Sequence, residues 1–91
     1  MTLKELFTDE SRWTQGTPAR DEKGNAVSPN DPLAVKFCLA GGIQRCYTYE
    51  EGSHVRRQLR QQLHWQSIIQ WNDAPERTFE DIQRLVNELD I

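Results

Sequence analysis

The chain has 91 residues, 36% of them hydrophobic and 27% charged, with three Trp, three Phe and two Tyr available as core volume. That length suits one domain and excludes two independent cores, since a compact fold of this size buries roughly 64% of the surface its unfolded chain exposes. The apolar content argues against a disordered chain, no apolar run approaches the roughly 18–20 residues of a membrane span, and a net charge of −3 speaks against a generic polyanion binder and is too small for a DNA mimic.

The amino terminus lacks a basic segment followed by an apolar stretch, so no secretory signal is expected, and a cytoplasmic protein with reduced thiols is. Thr2 and Glu5 have the spacing of a capping box, in which hydroxyl and carboxylate satisfy reciprocal backbone donors. Leu3, Leu6, Phe7 and Trp13 follow on one side at helical spacing, predicting a first helix that ends near Thr14 and Gly16. Residues 14–32 then contain Gly16, Pro18, Gly24, Pro29 and Pro32. A structureless loop of that length is uncommon in a compact domain. A small hairpin is expected instead, with Asp21-Glu22-Lys23-Gly24 as a type I turn closed by a left-handed glycine and Ala19-Arg20 and Asn25-Ala26-Val27 as its arms. A lone hairpin is marginal in water, so it must lie on the helices.

Asp31-Pro32 predicts a helix start, with an acceptor side chain at the cap and proline at the first position. Over residues 33–46 the apolar side chains cover almost the full helical wheel, broken mainly by Lys36, Gln44 and Arg45, and a helix apolar all round belongs at the centre of a fold. Gly41-Gly42 lowers helix propensity there, which calls for a second backbone packed closely or a bend. After a connector from Tyr47 to Gly52, Ser53 is expected to cap a third helix running to about Trp65, with Val55, Leu59 and Leu63 inward. Arg56, Arg57, Arg60 and His64 fall on an arc centred about 110° away, at 100° per residue. Ser67-Ile68-Ile69-Gln70-Trp71 reads as a short extended run, and Asn72-Asp73-Ala74-Pro75 as a turn. Thr78 with Asp81 opens a last helix to Ile91, striped by Phe79, Ile82, Leu85, Val86 and Leu89. The expected fold is therefore mainly α: a four-helix compact domain, single over residues 1–91, with a small β-hairpin inserted between helices one and two. The basic arc of helix three and Glu80, Asp81 and Glu88 on the last helix would then be neighbours, an intramolecular charge match of little worth at a surface.

Four motifs occur in order: Trp13-Thr14-Gln15-Gly16, then Ala19-Arg20-Asp21 with Gly24, then Cys38-Leu39-Ala40-Gly41-Gly42, then Trp71-Asn72-Asp73-Ala74-Pro75-Glu76-Arg77-Thr78. In this the chain resembles a family of small bacterial and phage proteins classed only as a domain of unknown function, whose pattern runs W-T-Q-G, A-R-D-x-x-G, C-L-x-G-A and N-D-x-P-x-x-T. The resemblance covers roughly residues 3–90. It departs at Gly42, where the family pattern has alanine, which bears on the straightness of the second helix. The resemblance implies a fold and brings no activity with it.

The residues that carry chemistry give few patterns. Cys38 and Cys46, eight residues apart, would stand about 12 Å apart on one helix, too far for a disulfide, and are expected as buried, inert thiols. With His54 and His64 they are the only Cys and His residues, but gaps of seven, seven and nine residues lack the close pairs of structural zinc sites, so no metal is expected. Either cysteine with His54 or His64, oriented by Asn72 or Asp73, could form a thiolate pair, yet no glycine-rich oxyanion loop adjoins them. Glu50-Glu51 lies in a connector and Glu80-Asp81 in a first helical turn, where carboxylates favour the helix dipole. No phosphate loop is present and no pattern points to a cofactor. Enzymatic activity is not expected.

Two clusters remain. Arg56, Arg57 and Arg60 are the side-chain type that meets phosphates, but the six-residue connector is long for a helix-turn-helix and the pI near 5.3 lacks a basic footprint. Trp13, Gln15, Arg20, Asn72 and Asp73 flank the hairpin and the late turn, and they would converge if those loops meet. Two readings of that convergence stay open: Asp73 pairs with Arg20 or caps the last helix while Asn72 closes the turn, or the group receives a peptide or small ligand. The favoured expectation is a non-enzymatic protein-interaction module that uses the hairpin and the polar end of the bundle, with protein as its partner. Nucleic acid on the Arg56, Arg57 and Arg60 face is the alternative, followed by a small ligand at Trp13, Arg20 and Asp73.

Overall fold

Leu3 and Leu6 form the buried side of a single helical turn, α1 (Leu3–Leu6), in a computed structural model that describes residues 1–91. The expected Thr2–Glu5 capping box is present. The first helix nevertheless stops at Leu6, where sequence spacing had carried it to Trp13. A short 3-10 turn, Glu10–Arg12, capped by Asp9, follows, and Trp13 is extended. The chain leaves the helix because Thr14 donates its N–H to the Phe37 carbonyl at 3.1 Å, which pulls residues 13–14 alongside a strand.

That strand, β2 (Lys36–Phe37), pairs antiparallel with β1 (Ala19–Arg20), in register Ala19 with Phe37 and Arg20 with Lys36. The expected hairpin turn forms on the other edge of β1. Arg20 bridges Ala26, Asp21 accepts from the Gly24 N–H, and Gly24 takes a φ of 86°, a left-handed conformation that glycine adopts without steric cost. β1 thus lies between the 25–27 arm and β2.

β2 also corrects the second expected helix. Asp31-Pro32 starts only one turn, closed by the Ala34 N–H on the Asp31 carbonyl. Val35 then donates to the Arg20 carbonyl at 2.9 Å, so residues 35–37 join the sheet and leave Leu33 66% exposed. The all-round apolar wheel over 33–46 arose from reading a turn, a strand and a helix as one element. The helix itself, α2 (Leu39–Cys46), starts at Cys38, whose sulfur accepts the Gly41 N–H.

Within those shorter bounds α2 is central, packing against α1, β2 and the next two helices. A Cβ on Gly41 would lie 1.9 Å from the Pro18 carbonyl oxygen, so a second backbone does occupy that face. Gly42 faces the Leu3, Leu6 and Phe7 side chains instead, and the helix runs unbroken through it.

α3 (Tyr49–Gln62) begins at Thr48, which forms a capping box with Glu51, and not at Ser53. The T-x-x-E spacing at 48–51 carries that signal in the sequence. Ser53 lies inside the helix and donates its hydroxyl to the Tyr49 carbonyl. Residues 68–73, expected as an extended run and a turn, form a fifth helix, α4 (Ile68–Asp73), capped by the Ser67 hydroxyl. The break falls at Ala74-Pro75. α5 (Phe79–Leu89) is capped by Thr78 and Asp81 as expected and buries Phe79, Ile82, Leu85 and Val86. The protein is mainly α, with five helices where four were expected, and its buried apolar side chains form one cluster spanning all five.

Candidate functional site

Asn72 is the one polar or charged residue fully buried in the core, with 0% exposure. α4 aims it at the N-terminus of α2 and at residues 13–15. Its carbonyl oxygen accepts from the Trp13 indole N–H at 2.9 Å and from the Leu39 N–H at 3.1 Å, and its amide donates to the Thr14 carbonyl at 3.1 Å and to Asp73 Oδ1 at 2.9 Å. Two acceptor and two donor positions are the full capacity of an asparagine side chain. Gln15 completes the junction by donating Nε2 to the Asn72 and Ala74 carbonyls at 2.8 and 3.0 Å. The Trp13 ring lies 6.4 Å from that of Phe79 on α5.

The structure therefore brings Trp13, Gln15, Asn72 and Asp73 together. Arg20 joins them only indirectly. Its guanidinium donates to Thr14 Oγ1, the Gly24 carbonyl and the Gln15 carbonyl at 2.8, 3.0 and 3.1 Å, tying the hairpin turn to residues 14–15. The expected Asp73–Arg20 pair is not formed. Asp73 Oδ1 accepts from the Gly16 N–H and from Asn72, and α5 takes its cap from Thr78. Hydrogen bonds to residues 14–16, Gly24 and Asn72 take the place of the ion pair. Every buried side-chain nitrogen and oxygen in the protein has a partner.

The cysteines sit at the two ends of α2. Burial pushes both thiols above their ordinary range, and the Asp73 carboxylate adds to the effect at Cys38. A nucleophilic cysteine needs the reverse shift. His54 and His64 are exposed on α3 and its C-terminal turn, and no three His, Cys, Asp or Glu side chains converge on a metal-binding geometry.

Arg57 and Arg60 are exposed on α3, whereas Arg56 is half-buried and lies over Gly52. None of the three makes an ion pair. The expected match with α5 does not form: Asp81 pairs with Arg77 and Arg84, both at 3.6 Å. Sequence reasoning missed Arg77, which stacks 3.9 Å over the Trp71 ring and donates to the Trp71 carbonyl. It also missed Arg45, which donates to the Pro29 and Asp31 carbonyls and holds the 29–31 turn on α2. Neither contact has a local sequence signature.

Beside the hairpin, Asp21, Glu22, Lys23, Asn25, Pro32, Leu33 and Val35 line an open groove of about 420 Å³. No helix is long and apolar enough to cross a membrane. A family model, described as a family of unknown function (DUF6197), matches residues 3–89. No curated protein and no solved structure matches the chain.

Proposed function

The chain belongs to that family of unknown function, and from this premise we propose that it is a single-domain, non-enzymatic protein-interaction module whose contact surface is the hairpin face. The observation that carries the reading is the position of Leu33. It stands 66% exposed in the wall of the groove, held outward by a turn in which its own N–H donates to Asp31 Oδ1 at 2.8 Å and Arg45 ties down the Asp31 carbonyl. A turn whose backbone is already tied down loses little conformational freedom on binding, and such preorganisation is what separates a contact surface from a loose loop. Trp13, Gln15, Arg20, Asn72 and Asp73 support the reading from behind, because their hydrogen bonds hold the hairpin and residues 13–16 on the bundle.

A small-ligand site at Trp13, Arg20 and Asp73 has less support, since three Arg20 donors and the Oδ1 atom of Asp73 already serve the Thr14 hydroxyl, backbone groups and the Asn72 amide. The resemblance to small bacterial and phage proteins favours a phage-related accessory protein, and two free thiols suit the cytoplasm. The test is affinity capture from a native lysate with the natural protein and with Leu33→Glu, whose exposed position leaves the core intact. Loss of specific partners in the variant is expected. Identical partner sets for both proteins remove the hairpin face from consideration.

A further inference from the structure

All fourteen carboxylate side chains lie outside residues 52–72, a run of 21 residues that contains Arg56, Arg57 and Arg60, while the remaining chain sets eight Lys and Arg against those fourteen. The acidic whole-chain pI hides this separation. The run is α3 beyond its first turn, its C-terminal turn, and most of α4. Arg57 and Arg60 project into solvent without ion pairs. The acidic side chains of α3 itself, Glu50 and Glu51, stand in its first turn, about 9–10 Å along the axis from Arg57, while Asp81 and Glu88 of α5 share a surface hollow with Gln62 and Leu63, about 160° and 60° around the helix from Arg60.

The same helix ends in an exposed indole. The Trp65 backbone N–H donates to the Arg60 carbonyl at 2.6 Å and the His64 backbone N–H to the Gln61 carbonyl at 3.2 Å, which is the Schellman pattern, with His64 in the left-handed position at φ 54°. α5 ends in the same pattern, with Ile91 donating to the Val86 carbonyl. There the outer residue of the motif behaves as such residues usually do: Ile91 is buried against the core. Trp65, its counterpart on α3, is 67% exposed. The backbone of Trp65 is itself left-handed, at φ 67°, and carries the indole away from the core. At the other end of the arginine arc Tyr49 is 87% exposed, beside a cleft of about 200 Å³ lined by Gln44, Tyr47 and Arg56.

We propose that the α3 face from Arg56 to Trp65 binds single-stranded nucleic acid, with Arg57 and Arg60 on consecutive phosphates and an unpaired base stacked on Trp65. Charge separation selects an anionic partner, and the free π-face selects one with exposed bases, since a duplex keeps its bases stacked on each other. This face is separate from the hairpin groove and does not depend on the function proposed for that groove.

The test is fluorescence anisotropy with labelled 12-nucleotide DNA and RNA single strands, the DNA duplex of equal length, and a polyglutamate peptide, from about 50 mM to about 300 mM salt. Single strands are expected to bind, and to weaken steeply with salt. Arg57→Gln with Arg60→Gln should reduce affinity at least tenfold and lower the salt slope by about 1.4, at about 0.7 per phosphate contact on a single strand. Trp65→Ala should cost about tenfold, and Trp65→Phe should restore most of that. Thermal melts of each variant establish that the exposed substitutions leave the fold intact. No binding at about 50 mM salt, tighter binding of duplex or polyglutamate, or affinity unmoved by these substitutions overturns the proposal.

Discussion

Trp13 and Asn72, 59 positions apart, are joined by an indole N–H···O bond of 2.9 Å that closes the irregular first third of the chain onto α4. The same oxygen holds the first N–H of α2, so one buried amide links three elements. Asn72→Ala would leave the Trp13 N–H, the Leu39 N–H and the Thr14 carbonyl unpaired. A loss of about 4 kcal/mol is expected in urea unfolding. Trp13→Phe keeps the ring and removes one bond, and should cost about 1–2 kcal/mol. Equal effects from the two variants would contradict the arrangement.

Gly41 and Gly42 are adjacent but face different neighbours. A methyl at Gly41 meets the Pro18 carbonyl at 1.9 Å, and backbone there cannot yield without shifting β1. Gly41→Ala should destabilise by about 3 kcal/mol. At Gly42 the nearest atoms are side-chain tips of Leu3, Leu6 and Phe7 at 3.0–3.2 Å, and alanine regains up to about 1 kcal/mol of helix propensity. Gly42→Ala should change stability by less than about 1 kcal/mol. The alanine in the resembled pattern at this position is consistent with that tolerance.

Cys38 acts as a helix cap, its sulfur accepting the Gly41 N–H at 3.3 Å. Serine offers a better acceptor in the same place, so Cys38→Ser should hold stability within about 1 kcal/mol, while Cys38→Ala loses the cap at about 1–2 kcal/mol. Because burial holds both thiols above their ordinary range, alkylation of the native protein at neutral pH should run far slower than that of the unfolded chain. Rapid labelling of Cys38 in the folded protein would disprove its burial.

His64 occupies a left-handed position that glycine usually fills, and no glycine follows Gly52 in the chain. His64→Gly should raise stability by about 0.5–1 kcal/mol in thermal or urea unfolding, without altering the Trp65–Arg60 bond that closes α3. A destabilised glycine variant would show that the imidazole makes a contact of its own.

Glu5, Glu51 and Asp81 are the reciprocal members of three capping boxes, and the backbone N–H groups of Thr2, Thr48 and Thr78 hold their carboxyls below the ordinary values of 4.5, 4.5 and 3.8. A carboxylate whose pKa is lower in the folded state contributes its stability above the unfolded value and loses it as pH falls through the folded one. Thermal stability should therefore be flat from pH 7 to about 5 and decline below about 4.5. Glu51→Gln, which removes the carboxylate that accepts from the Thr48 N–H, should show a shallower decline. An identical acid profile would separate these carboxyls from the acid response.

Much of this architecture was legible locally. The caps at Thr2 and Thr78, the glycine turn at Gly24, the inward stripe of α5 and the break near Pro75 each depend on residues within a turn of one another. The T-x-x-E at 48–51 was equally local, and the α3 start was misplaced because Ser53 also suits a cap and precedes the apolar stripe. Ile68 and Ile69 favour a strand by type, yet Ser67 caps them into α4, which packs on α2. The cluster around Asn72 was legible in its membership, but its bonding was not: the residues gather with Arg20 and Asp73 each turned to backbone.

The amino-acid order alone determined the helix-rich character, the hairpin turn and the choice at Gly41-Gly42 between a closely packed backbone and a bend, because capping, left-handed turns and apolar periodicity act across a few residues of chain. Only the folded molecule decided that residues 35–37 are strand, that Cys38 begins the central helix and that Asn72 is the buried hinge-pin of the loops. Those outcomes depend on hydrogen-bond partners brought from 33 to 59 positions away in the case of Asn72, and on β1 in the case of the strand. A hydrogen bond supplied from such a distance overrides local preference, because a buried N–H or carbonyl left without it costs more than any single residue's propensity.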